Sequence, residues 1–163
     1  MVVTGGVERA IQYFHAVREY LKERTSPHQA IVAFSGEHEF GSAKVTEASP
    51  NGFASNKIAD KLQEDSYRFL VCANKFQTGY DKPLLHTGYV DKPLAGIKAV
   101  QILSRLNRAH PQAHAVLALE FQNDIETIRS SFAPWSSGRA DAWVLSTKPT
   151  RRAGSIRHLR LLR

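Results

Sequence analysis

A single cysteine, Cys72, is all the thiol chemistry the chain holds, which excludes the internal disulfide framework that staples small secreted domains. No run of about 18 apolar residues occurs, so no helical membrane span and no membrane partner are expected. The amino end carries no basic leader ahead of an apolar stretch, so a signal peptide is not expected and the cytoplasm is the expected compartment. Also missing is a GxxxxGK[ST] segment, the glycine loop that cradles nucleotide phosphates, so any nucleotide chemistry needs its main phosphate grip from elsewhere. Acids become scarce toward the carboxyl end. From residue 139 onward seven basic residues stand against one acid, Asp141, and this stretch carries +6 of the net +7. The body is nearly neutral, so the overall charge says little about its partners.

The 163 residues, 42% of them hydrophobic, suffice for one compact domain. Residues 1–4 form an apolar strand that ends at Gly5 and Gly6, and Val7, Ala10, Ile11, Phe14, Val17 and Leu21 follow at helical spacing. Residues 30–34 and 68–73 are short runs rich in Ile, Val, Leu and Phe, as in strands buried on both faces. Between them, residues 37–55 hold Gly41, Pro50 and Gly52 with no sustained period and are expected to be a long loop. Asn56 is expected to cap a short helix through Glu64. Residues 86–91 and 115–121 are the fourth and fifth strands. Between them lies a helix over residues 94–107, stopped before Pro111, and Asn123 with Glu126 opens a last helix. This alternation predicts an α/β fold, with a mostly parallel sheet and helices on both faces, whose ligands lie beyond the carboxyl ends of the strands. Residues 133–163 mix Pro, Ser, Gly and Arg and are expected to be a basic, disordered or non-native tail.

Three segments are polar where a strand or helix ends: the glycine turn at residues 4–6, NKFQTGYD at residues 74–81, and QILSRLNR at residues 101–108. In the last, Lys98, Gln101, Arg105 and Arg108 share one helix face opposite a Leu and Ile stripe. Aligned guanidinium groups suit phosphate, because their rigid paired donors can meet charge developing on a transferring phosphoryl group. Spacing alone also fits an ordinary solvated basic face.

Taken in order, MVVTGG, TEASPNGF, FLVCANKFQTGYDKPLLHTGYVDK and AVQILSRLNRAHP resemble the second motor domain of the R subunit of type I restriction enzymes, superfamily two helicase-like DNA translocases. The resemblance covers residues 1–132 and implies a RecA-like fold, of the P-loop NTPase type, that closes on ATP and Mg2+ held by a first motor domain. It implies that Gln77, Thr78, Gly79 and Asp81 form motif V. Lys75, Gln77 and Thr78 would then approach a DNA phosphate, and Gly79 and Asp81 would couple nucleotide and DNA states. Gln101, Arg105 and Arg108 would form motif VI, with the last arginine as a finger toward the γ-phosphate. Thr4, Gly5 and Gly6 would form motif IV, offering backbone N–H groups to the tracked strand.

The implied partners are double-stranded DNA, the first motor domain, and the modification and specificity subunits of the restriction complex. Neither the acidic magnesium box nor the nuclease domain of such subunits is present, and Met1 lies inside a strand. A fragment that is inactive alone and binds no cofactor tightly is therefore expected. The rival readings are a non-enzymatic remnant that binds DNA weakly through its basic tail, and an interaction fragment that docks on restriction subunits. No metal site is expected, since Pro111 separates His110 from His114. Cys72 is expected in the core, and Ser104 has no acid or histidine at a hydrolase spacing.

Overall fold

The structure is a computed structural model and describes residues 1–76, 87–106, 115–120, 122, 125–132, 143–146 and 157–162. The chain divides into two compact units, Met1–Tyr80 and Asp81–Arg163.

In the first unit, β1 (Val2–Thr4) leads into α1 (Val7–Glu23), followed by β2 (Gln29–Ala33), β3 (Glu37–Phe40), β4 (Ala43–Thr46) and α2 (Ala48–Asn51). A 3-10 turn at Ser55–Lys57, α3 (Ile58–Lys61) and β5 (Tyr67–Ala73) complete it. The sheet order is β2-β5-β1 and both pairings are parallel, with Val2 opposite Val71, Thr4 opposite Ala73 and Ile31 opposite Leu70.

Because strand side chains alternate, this register makes two rows. Ala30, Val32, Val71 and Ala73 pack with Phe34 against Ala10, Ile11 and Phe14 of α1. The alternate row, Val3, Ile31, Ala33, Leu70 and Cys72, is buried as well. Burial on both faces is why these strands read as unbroken apolar runs rather than as alternating ones. α1 ends in a Schellman arrangement, with Thr25 N–H donating to Lys22 O and Ser26 N–H to Leu21 O. This places Thr25 in the left-handed region at φ 48°.

Residues 37–55 are not the loop expected from the sequence. β3 and β4 pair as an antiparallel hairpin, Phe40 opposite Ala43, with Gly41 at φ 63° making the tight turn that glycine alone enters freely. The hairpin is largely exposed, so it has no apolar alternation to betray it. Nor does Asn56 cap a helix. It lies inside the 3-10 turn, and α3 begins after Lys57 without a side-chain cap.

The second unit contains β6 (Thr87–Asp91), α4 (Gly96–Leu106), β7 (Ala115–Glu120), α5 (Ile125–Phe132), β8 (Trp143–Ser146) and β9 (Arg157–Leu162). Its strand order is β6-β7-β9-β8, with β6 and β7 parallel and β9 antiparallel to both its neighbours. Leu94, Ala99, Ile102 and Ile128 are buried. Gly96 N–H donates to Ser131 Oγ at 2.8 Å, fastening the start of α4 to α5. Asn123 lies outside the described residues. Within residues 133–163, expected to be irregular, β8 and β9 are the described segments. The architecture is α/β, with parallel central strands, antiparallel strands at the β9–β8 end and packed helices, consistent with the RecA-like class. Among the described residues no helix is long and apolar enough to cross a membrane.

Candidate functional site

The parallel register brings the carboxyl ends of β1 and β5 side by side, because Thr4 lies opposite Ala73. The Gly5–Gly6 turn and the Asn74, Lys75 and Phe76 exit are therefore neighbours at one rim, although about 70 residues separate them in sequence. Ligands of parallel α/β sheets lie at this kind of rim.

Thr4 is buried, and its hydroxyl faces two backbone oxygens, Gly6 O at 2.9 Å and Cys72 O at 3.4 Å. In this arrangement Thr4 ties the turn to β5, and the surface elements of the turn are the glycines. Gly5 is exposed and Gly6 half-buried. Gly6 is the N-cap of α1 with no side-chain cap, and a Cβ built on it meets nothing within 4 Å. The positive dipole end of a 17-residue helix suits an anion.

Across the rim, β5 leaves the sheet through two left-handed residues, Asn74 at φ 61° and Phe76 at φ 57°. Asn accepts this conformation readily; Phe does not, so the exit holds local strain of on the order of 1–3 kcal/mol. Between them, Lys75 N–H donates to Ala73 O at 2.8 Å, and its Nζ lies 2.5 Å from Glu47 Oε2 and 5.4 Å from the Phe76 ring centroid.

Glu47 and Asn51 were not singled out from the sequence. The Glu47 side chain is 4% exposed, and its second oxygen accepts the Phe34 N–H at 2.9 Å. Four residues on, the Asn51 side chain clasps β2: Oδ1 accepts Val32 N–H at 2.9 Å, and Nδ2 donates to Val32 O at 2.7 Å and to Glu47 O at 2.8 Å. Together they cap backbone groups of β2 and of Phe34 just beyond it; β2 is the last strand of its sheet in this unit, and its open edge would otherwise be a liability. Both belong to TEASPNGF. The signal available in the sequence was the four-residue spacing, which places Glu47 and Asn51 on one side of a single helical turn.

In the second unit, Asp91 at the end of β6 is buried and accepts Gln122 Nε2 at 2.5 Å, another pairing not foreseen. Gln101 is exposed on α4 and Arg105 lies one turn further along the same helix. The side chain of Arg105 lies outside the described residues, as do Gln77, Thr78, Gly79, Asp81, Arg108, His110 and His114. The α4 sequence, GIKAVQILSRL, contains no acid.

A groove of about 590 Å³ runs beside α1 and the start of β2, lined in part by Phe14, His15, Arg18, Lys22, His28 and Tyr67. It contains none of the expected site residues, four of which, Thr4, Gly5, Gly6 and Lys75, lie at the rim.

A family described as type I restriction enzyme subunit R domain 3 matches residues 52–118. A Methanocaldococcus jannaschii protein named as a type I restriction enzyme endonuclease subunit is 28% identical over 127 residues, covering 68% of this chain. The chain spans 12% of the length of that relative. Both similarities are to subunits of type I restriction enzymes, the first of them to the R subunit.

Proposed function

We propose that this chain is the second half of an ATP-driven motor that translocates double-stranded DNA in an R subunit of a type I restriction enzyme. The observation that carries the reading is the rim of the first unit. The Gly5–Gly6 turn, read as one DNA-tracking motif, and Lys75, read as a DNA contact just ahead of the other, are juxtaposed there by the β1–β5 register. Both present what a phosphate needs: a helix N-terminus from one, an ammonium from the other. The similarity over residues 52–118 adds support from the stretch that holds all the motif V and motif VI residues.

The sequence has no phosphate loop, so ATP and Mg2+ would be gripped by a first motor domain. When bound, they would supply the phosphoryl transfer that drives translocation. This chain's part would be donors alone, Gln101 with Arg105 and Arg108, aimed at the far phosphate. Modification and specificity subunits would be further partners in the assembled complex.

The test is ATP hydrolysis measured with and without duplex DNA. The isolated chain should turn over no ATP. An R subunit in which this segment stands beside an intact first motor domain should hydrolyse ATP and move along DNA. Turnover by the isolated chain, or an inactive restored subunit that is folded, would refute the reading.

A further inference from the structure

We infer that Glu47 is a positioning residue for phosphate recognition: its buried carboxylate holds the Lys75 ammonium at the rim, oriented for a DNA phosphate before any DNA arrives. The inference rests on the reading of the rim as a DNA surface and adds to it a residue that never touches DNA.

The mount is rigid at three points. Asn51 fixes the backbone of Glu47 by donating to its carbonyl oxygen, while its own amide grips Val32. One Glu47 oxygen is held by the Phe34 N–H and the other by Lys75. The carboxylate is thus anchored to β2 from one side and presents its remaining oxygen to the exit of β5.

The chain enters the left-handed region on either side of Lys75, at Asn74 and at Phe76. A backbone outlier of this sort persists where surrounding contacts over-determine it, and the ion pair is one such contact. The Lys75 side chain is 29% exposed against 4% for Glu47, so the pair is buried on the glutamate side and open on the lysine side. An ammonium has three donors. One satisfies Glu47, and an opening remains on the solvent side for a phosphate oxygen. Lys75 need not abandon Glu47 to bind, and abandoning it would strand a buried carboxylate without its charge partner, which is strongly unfavourable.

Preorganisation and competition predict opposite signs. Glu47→Gln keeps an oxygen for the Phe34 N–H but removes one negative charge, which by long-range electrostatics alone should tighten DNA binding. If Glu47 instead prepositions Lys75, the substitution releases a flexible side chain that must lose its rotamer freedom on binding, and affinity falls.

The experiment titrates the full chain with a short mixed-sequence DNA duplex at several salt concentrations, for wild type, Lys75→Ala, Glu47→Gln and the double variant. Lys75→Ala should weaken binding and reduce the slope of log affinity against log salt by about 0.9. Glu47→Gln should weaken binding several-fold despite its extra positive charge, and the double variant should be no weaker than Lys75→Ala. Glu47→Gln binding as tightly as wild type or tighter, beside a weakened Lys75→Ala, overturns the inference while leaving the rim reading intact. An unchanged Lys75→Ala overturns the rim reading itself. Should Glu47→Gln fail to fold, the wild-type Lys75 ammonium resonance decides. Slow proton exchange before DNA is added, and a shift on addition, are expected; fast exchange in the free protein overturns the inference.

Discussion

Replacing Asn51 with alanine removes three hydrogen bonds at once. Two of them serve Val32, whose N–H and C=O lie on the side of β2 away from β5 and whose side chain is fully buried. The third holds Glu47 O. At about 0.5–1.5 kcal/mol net per bond the loss comes to about 3 kcal/mol, rising if the Val32 groups stay dry and unpaired. Asn51 is half-buried and borders the groove beside α1, so water can replace part of what is lost, and about 2–3 kcal/mol is the expected destabilisation. Urea denaturation followed by circular dichroism measures it, with Gln12→Ala as the control. Gln12 makes one exposed 3.4 Å contact to Glu8, and its loss should change stability by less than about 0.5 kcal/mol. Hydrogen exchange adds a local readout, because the Val32 amide should lose protection in Asn51→Ala beyond the global change. Equal stability of Asn51→Ala and the control would refute the view that this side chain completes the sheet edge.

Gly6→Asp should separate stability from binding. An N-cap aspartate supplies the missing side-chain acceptor and complements the helix dipole, so stability should rise by a few tenths of a kcal/mol. It also sets a negative charge before the open helix end, so duplex DNA should bind more weakly; unchanged affinity would remove the turn from the DNA surface. In the basic carboxyl-terminal segment, Arg151→Gln and Arg152→Gln should each lower the slope of log affinity against log salt by about 0.9 if that segment supplies the nonspecific affinity. An unchanged slope would locate the contacts in the body.

The buried strands were legible because burial on both faces writes itself into composition: AIVA in β2 and FLVCA in β5 admit little else. α4 was legible for the complementary reason, a stripe through Ala99 and Ile102 with polar residues opposite. The β3–β4 hairpin was not legible, since EHEF and AKVT set only Phe40 and Val45 against the core, too few apolar residues for a periodic signal. Its one mark was Gly41 at a position that demands positive φ. At the site, the glycine turn and the polar exit of β5 could be picked out as strand ends, yet their adjacency needed the register. Glu47 and Asn51 escaped because polar residues between Gly and Pro look like solvated loop. What makes them matter is a carboxylate buried by tertiary packing, which one-dimensional spacing does not encode. Thr4 shows the converse: its position was read from a motif, and its hydroxyl turns inward to the backbone.

The central claim, that this chain completes the nucleotide site of a DNA motor, is tested most directly by steady-state ATP turnover. The assay uses an R subunit carrying this segment beside a first motor domain, saturated with duplex DNA, and compares Arg108→Ala and Arg105→Ala with Lys98→Ala. Lys98 is exposed on the same helix as Arg105 and belongs to no motif. Turnover should fall by on the order of 10³–10⁵ where the arginine finger is lost, with the fold intact, while Lys98→Ala should stay near wild type. Equal losses at all three positions would mark a generic basic face, and wild-type turnover in an Arg105→Ala, Arg108→Ala double variant would contradict the account.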